Sequence, residues 1–162
     1  MRFMLGVSVW CFNVFFGLRM RKQLQLRYVT LQRLARFFET VRLRMAYDAL
    51  PLLALFEDAG GDLPFLERCC ALVREGESLE SAWTNSIRAA ALPMDGEALE
   101  ALCMLGAVLG TTDLDGQLQI LRRAADTMDS FASRARLRYE KYAPVSTSFG
   151  FFAGFAFFVF MI

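Results

Sequence analysis

The chain has 162 residues, no histidine and a formal net charge of +1, with 56% hydrophobic and 14% aromatic residues. That length holds one modest domain, and the apolar share is high for a soluble protein. With no histidine and no C-x-x-C spacing, the commonest general base is missing and a zinc site has no ligand set.

The apolar excess sits at the two ends. Phe3 to Leu18 and Ala143 to Ile162 contain no charged residue. As helices they reach roughly 24 to 30 Å, short for a bilayer core of about 30 Å but workable if flanking Arg and Lys side chains snorkel. Both are read as membrane spans, at 3–18 and 146–162. The first is read as a retained anchor, because "RMRK" follows it and no small-residue cleavage site does. Arg19, Arg21 and Lys22 follow the first span, and Arg134, Arg136, Arg138 and Lys141 precede the second. The positive-inside rule then makes 19–142 a cytoplasmic helical domain. In that location Cys69, Cys70 and Cys103 are expected to stay reduced.

From Gln23 to Tyr47 the pattern predicts a helix, with Leu24, Leu31, Phe38 and Met45 seven apart and Leu34 and Val41 between them. Its opposite side carries Arg19, Lys22, Arg33, Arg36 and Arg44, while Leu26, Val29 and Phe37 intrude on that basic side and Arg27 and Arg42 on the apolar one. Pro51 suits the first turn of a short helix that stops at "AGGD". Pro64 opens a third helix, broken at Gly76, and Ser78 caps a fourth holding Leu79, Ala82, Trp83 and Ile87. Asp95 caps a fifth, through Leu109, with Leu99, Leu102, Cys103 and Val108 as its buried stripe.

Next comes "LGTTDLDGQ", Leu109 to Gln117. Asp113 and Asp115 alternate as calcium ligands would, but no closing Glu follows, and no Lys-Ser or Lys-Thr follows Gly116 to cradle a phosphate. The stretch reads as a helix-turn-helix corner: Gly110 ends one helix with φ > 0, and Thr112 caps the next, with Asp115 three positions on completing a capping box. Asp113 then stands at the first helical position with its carboxylate outward. The last helix carries Leu114, Leu118, Leu121, Ala125, Met128, Ala132, Ala135, Tyr139 and Tyr142 in alternating steps of four and three, the spacing of one packed seam. The fold class is therefore all-α, a helical bundle or stalk between two terminal transmembrane helices.

Charge is segregated along it. Arg19 to Arg44 hold eight basic and one acidic residue, net +7, whereas Met45 to Asp129 hold five basic and fifteen acidic, net −10. The basic part suits anionic lipid heads, and the acidic part suggests a basic protein partner. No enzyme, cofactor, metal site or small-molecule substrate is indicated. A nucleic-acid-binding regulator using the corner at Gly110 is the rival class, but its basic residues lie beside the membrane and its turn is acidic.

Four segments together resemble the stage III sporulation protein AB family: "YDALPL" (Tyr47, Pro51, Leu52), "LESAW" ending at Trp83, "LGTTDLDGQ", and Tyr139 to Tyr142 followed by "SFGFFAG". These are membrane components of the channel complex between mother cell and forespore. A more distant likeness is to the inner-membrane platform protein of type II secretion and type IV pilus machines. Arg44 stands where that family usually has an acidic residue, and Pro144 introduces a kink at the membrane boundary. The resemblance implies a scaffold in the mother-cell membrane that engages the complex's cytoplasmic ATPase and its other membrane components. Candidate partner-binding residues are Asp113, Asp115, Gln117, Glu75 and Glu80. Tyr47, Pro51, Trp83, Gly110 and Thr112 are expected to be structural. Gly150 and Gly154 form a small-xxx-small face through which the spans pack together, against Asn13 and Gly17, or self-associate.

Overall fold

The computed structural model describes Phe15 and residues 19–48, 50–61 and 63–141. Among the described residues there are six helices and no strand: α1 (Arg2–Asp48), α2 (Leu52–Ala59), α3 (Pro64–Arg74), α4 (Leu79–Ala90), α5 (Gly96–Val108) and α6 (Leu114–Met161). Apart from Phe15, the expected spans lie outside the described residues, as do the roles assigned to Asn13, Gly17, Pro144, Gly150 and Gly154. Among the described residues no helix is long and apolar enough to cross a membrane.

Two compact units divide the chain, Val29–Ala132 and the remainder, Met1–Tyr28 with Ser133–Ile162. In the smaller described part of the second unit, Arg136 Nε donates to Glu140 Oε1 at 2.7 Å one helical turn away.

In the first unit the helix limits follow from punctuation in the sequence. Pro51 takes the N-cap of α2, one position earlier than expected, with φ −62° and ψ 144°. Pro64 occupies the start of α3, where its missing N–H leaves no bond unmade. The end of α3 is a Schellman motif: Glu77 N–H reaches Leu72 O and Gly76 N–H reaches Val73 O, each at 3.1 Å. Ser78 Oγ then accepts from Ser81 N–H at 3.3 Å and caps α4. Asp95 holds the N-cap position of α5 without a side-chain capping bond.

The core gathers around Trp83, which is fully buried. Phe56 and Phe65 pack on its ring at centroid distances of 5.6 and 5.5 Å, and Phe38 lies at 6.3 Å. Its indole N–H donates to Leu102 O at 2.8 Å, so α4 is fixed to α5 by a bond that leaves no buried donor orphaned. Gly106 sits over the same indole. A Cβ there would lie 2.6 Å from Trp83 Cδ1, so only a residue without a side chain permits the approach.

Of the heptad positions of α1, Leu31, Leu34, Phe38, Val41 and Met45 are buried, as expected, whereas Leu24 is half-buried. Phe37, expected on the basic side, is buried too and stacks 5.5 Å from Phe56. Arg42, another exception to the pattern, is neutralised by Glu39 one turn back. Its Nη2 and Nε donate to the two carboxylate oxygens at 2.6 and 2.9 Å, and this holds Glu39 below its ordinary pKa. Arg44 pairs with Asp58 and ties α1 to α2. In α6 the seam holds from Leu121 through Ala125 and Met128 to Ala132, but it begins differently. Leu114 is 51% exposed and Gln117, not Leu118, turns inward.

The stripe of α5 also needs correction. Ala98, Leu102 and Gly106 are its buried face, whereas Leu99 and Cys103 are half-buried and Val108 is exposed. The helix packs through Gly106 against Trp83, and that contact rotates Val108 outward.

Candidate protein-docking surface

The corner between α5 and α6 is built from its turn residues. Leu109 has φ −69° and ψ 130°, and Gly110 follows at φ +78°, where a Cβ would be strained. Thr111 Oγ1 donates to Val108 O at 2.9 Å, satisfying a carbonyl that the end of α5 leaves open. The cap of α6 is Asp113. Its Oδ1 accepts from Gly116 N–H at 3.2 Å, while its own carbonyl takes the first helical bond from Gln117 N–H at 2.9 Å.

Thr112 is therefore one residue short of the cap assigned to it, and Asp115 does not close a capping box. Thr112 instead accepts from Gln117 Nε2 at 3.0 Å, and the same amide reaches Val108 O at 3.4 Å. Gln117, expected as a partner contact, is buried and engaged inside the corner. Its Oε1 has no partner among the described residues, and the same is true of the buried Ser86 hydroxyl.

The other candidates are on the surface. Asp115 is exposed in the first turn of α6, and Glu80 is exposed in the first turn of α4. Glu75 is exposed at the C-cap of α3. The two corners that carry them stand side by side, because a Cβ on Gly110 would touch Leu79 Cδ2 at 3.5 Å. That contact sets the start of α4, where Glu80 stands, beside the turn before α6, more than thirty positions away in the chain. Glu77, which the sequence reading did not single out, is exposed in the α3–α4 corner; its Oε2 accepts from Ser81 Oγ and Asn85 Nδ2, each at 3.3 Å. No Lys or Arg occurs from Glu75 to Ile87 or from Ala89 to Leu121, although Arg74 and Arg88 flank the first of these segments.

Tyr47, expected to be structural, is 85% exposed, whereas Trp83 is fully buried. Burial, with a smaller contribution from Cys70, pushes the Cys69 thiol up to about 12. Burial also raises Cys70 and Cys103. These thiols stay protonated near neutral pH, which suits packing better than nucleophilic chemistry. Among the described residues no group of His, Cys, Asp or Glu could hold a metal ion. The arrangement offers a charged surface.

No curated protein and no solved structure matches the chain. The model of one family, described as stage III sporulation protein AB, matches residues 2–162. That match covers nearly the whole length, and the chain belongs to the stage III sporulation protein AB family.

Proposed function

We propose that this protein is a non-enzymatic membrane scaffold of the channel complex between mother cell and forespore, and that its acidic end docks the complex's cytoplasmic ATPase. One observation carries the reading: Leu79 of the α3–α4 corner lies against Gly110 of the α5–α6 corner, and Glu75, Glu77, Glu80, Asp113 and Asp115 are all exposed in the segments around these two positions. A carboxylate cluster of this kind steers and orients a basic protein surface. Family membership supports the sporulation setting. The uncharged termini and their basic flanks support a two-pass protein in the mother-cell membrane with 19–142 in the cytoplasm.

The corner does not suit a DNA-reading helix-turn-helix. Asp113 and Asp115 open α6 at the place where a recognition helix meets phosphate, and their charge is of the wrong sign.

Pull-down of the full chain from sporulating membranes tests the docking. Glu80→Lys combined with Asp115→Lys should lower ATPase recovery at low salt by about tenfold or more, while Thr127→Lys on exposed α6 surface leaves it unchanged. Equal recovery from the doubly reversed chain and the parent would refute the assignment.

A further inference from the structure

Between Leu50 and Leu137, three large apolar side chains stand exposed among the described residues: Met104 at 68%, Leu114 at 51% and Val108 at 41%. All three belong to the α5–α6 corner. Met104 and Val108 are one turn apart on the outer face of α5. The same stripe holds Glu100, Ala101 and Ala107, with Glu97, already engaged, at its far end. Leu114 opens α6, and Gln117 three residues on sends its Nε2 to Val108 O at 3.4 Å. The two helix ends that carry the three side chains are therefore held together. Ala98, Leu102 and Gly106 face the core and take no part in this.

Single exposed apolar residues are ordinary, whereas a group of them with a polar rim marks a contact. Here the rim is acidic. Asp113 and Asp115 flank Leu114 in the chain, Glu100 stands one turn before Met104, and all three carboxylates are exposed. Exposed Glu80 follows Leu79, whose Cδ2 a Cβ on Gly110 would touch at 3.5 Å. Arg88, whose charge is felt at Cys103 beside the stripe, adjoins this rim, and Arg122 and Arg123 come two turns into α6.

Resting on the docking reading above, we infer that the segment of the ATPase that docks here is amphipathic, apolar at its centre and basic around it, and that Met104, Val108 and Leu114 take the apolar part. Charges at a rim speed and orient encounter, whereas apolar groups that leave water on contact must return to it before the partners part. The two sets of side chains divide the kinetics. Glu80 and Asp115 act on kon and its salt dependence, and Met104 and Leu114 act on koff.

The test follows binding of the purified ATPase to the full chain in detergent by surface kinetics, at low and at high salt. Met104→Ser with Leu114→Ser should raise koff by about tenfold or more and leave kon within about twofold. Met104→Ser alone, in the middle of α5 and away from either helix end, should raise koff by about threefold. Met104→Leu with Leu114→Met keeps the apolar contact and should bind as the parent does. Retained thermal melting of the serine variants separates loss of contact from loss of fold. Serine variants with the parent's koff, or a loss confined to kon, would overturn the inference and leave the docking reading standing. A parent chain that captures no ATPase would refute that reading and this inference with it. Self-association of the parent that the serine variants abolish would assign the corner to a second copy and overturn the inference as well.

Discussion

Glu75 and Asp113 are carboxylates with opposite relations to the helices beside them. Asp113 caps α6 at its positive end, where Oδ1 holds Gly116 N–H. Asp113→Ala should therefore lower stability by about 1 kcal/mol, measured by chemical denaturation, and Asp113→Asn should recover most of it. Glu75 stands at the C-cap of α3, the negative end of the dipole, where a carboxylate is unfavourable. Glu75→Lys should stabilise the fold by roughly 0.3 to 1 kcal/mol and yet weaken ATPase recovery. A gain in melting temperature with docking unchanged would show that Glu75 has no part in the surface. At the residue scale the cap of α6 lies one position beyond the one that spacing predicts. "TTD" offers three consecutive capping side chains, and only the path of the chain after Gly110 selects Asp113 over Thr112. Gln117 was misplaced for a related reason, since a polar side chain after a turn looks solvated until its amide is seen bonding Val108 O and Thr112 Oγ1.

Among the elements, α1 and α6 were largely legible because contrast between polar and apolar positions marks one face. Leu31, Phe38 and Met45 are buried at the expected spacing, and so are Leu121, Ala125, Met128 and Ala132. The starts and stops of α2, α3 and α4 were legible because Pro51, Pro64, Gly76 and Ser78 act locally. In α5 that contrast is absent. Its residues from Ala98 to Val108 are apolar but for Glu100, so periodicity could not tell the face on Trp83 from the outward one. Gly106 decides it, through a tertiary contact that no local pattern reports. Gly106→Ala should destabilise the protein by about 1 to 3 kcal/mol, because its Cβ would press on Trp83 Cδ1 and the core is already filled. Thermal denaturation followed by tryptophan fluorescence checks this, and a variant as stable as the parent would mean the indole has room to shift.

For the molecule as a whole, segregation of charge is the property that sequence shows and folding sharpens. The net −10 between Met45 and Asp129 says only that the middle of the chain is acidic. The approach of Leu79 to Gly110 adds that two of its acidic turns stand beside each other. Orientation belongs to this scale too. If the basic flanks set it, a reporter active only outside the cytoplasm should work when fused after Ile162 and fail after Gly60, and the reverse pattern would reject the two-pass reading. The central claim, that the acidic end is where the ATPase sits, is tested most directly by site-specific photo-cross-linking in sporulating cells. The probe replaces Glu80, Asp115 or, as a control on another exposed surface, Thr127. Adducts with the complex's ATPase from positions 80 and 115 and none from 127 are the predicted result; no ATPase adduct from the corners, or equal capture from all three positions, would contradict it.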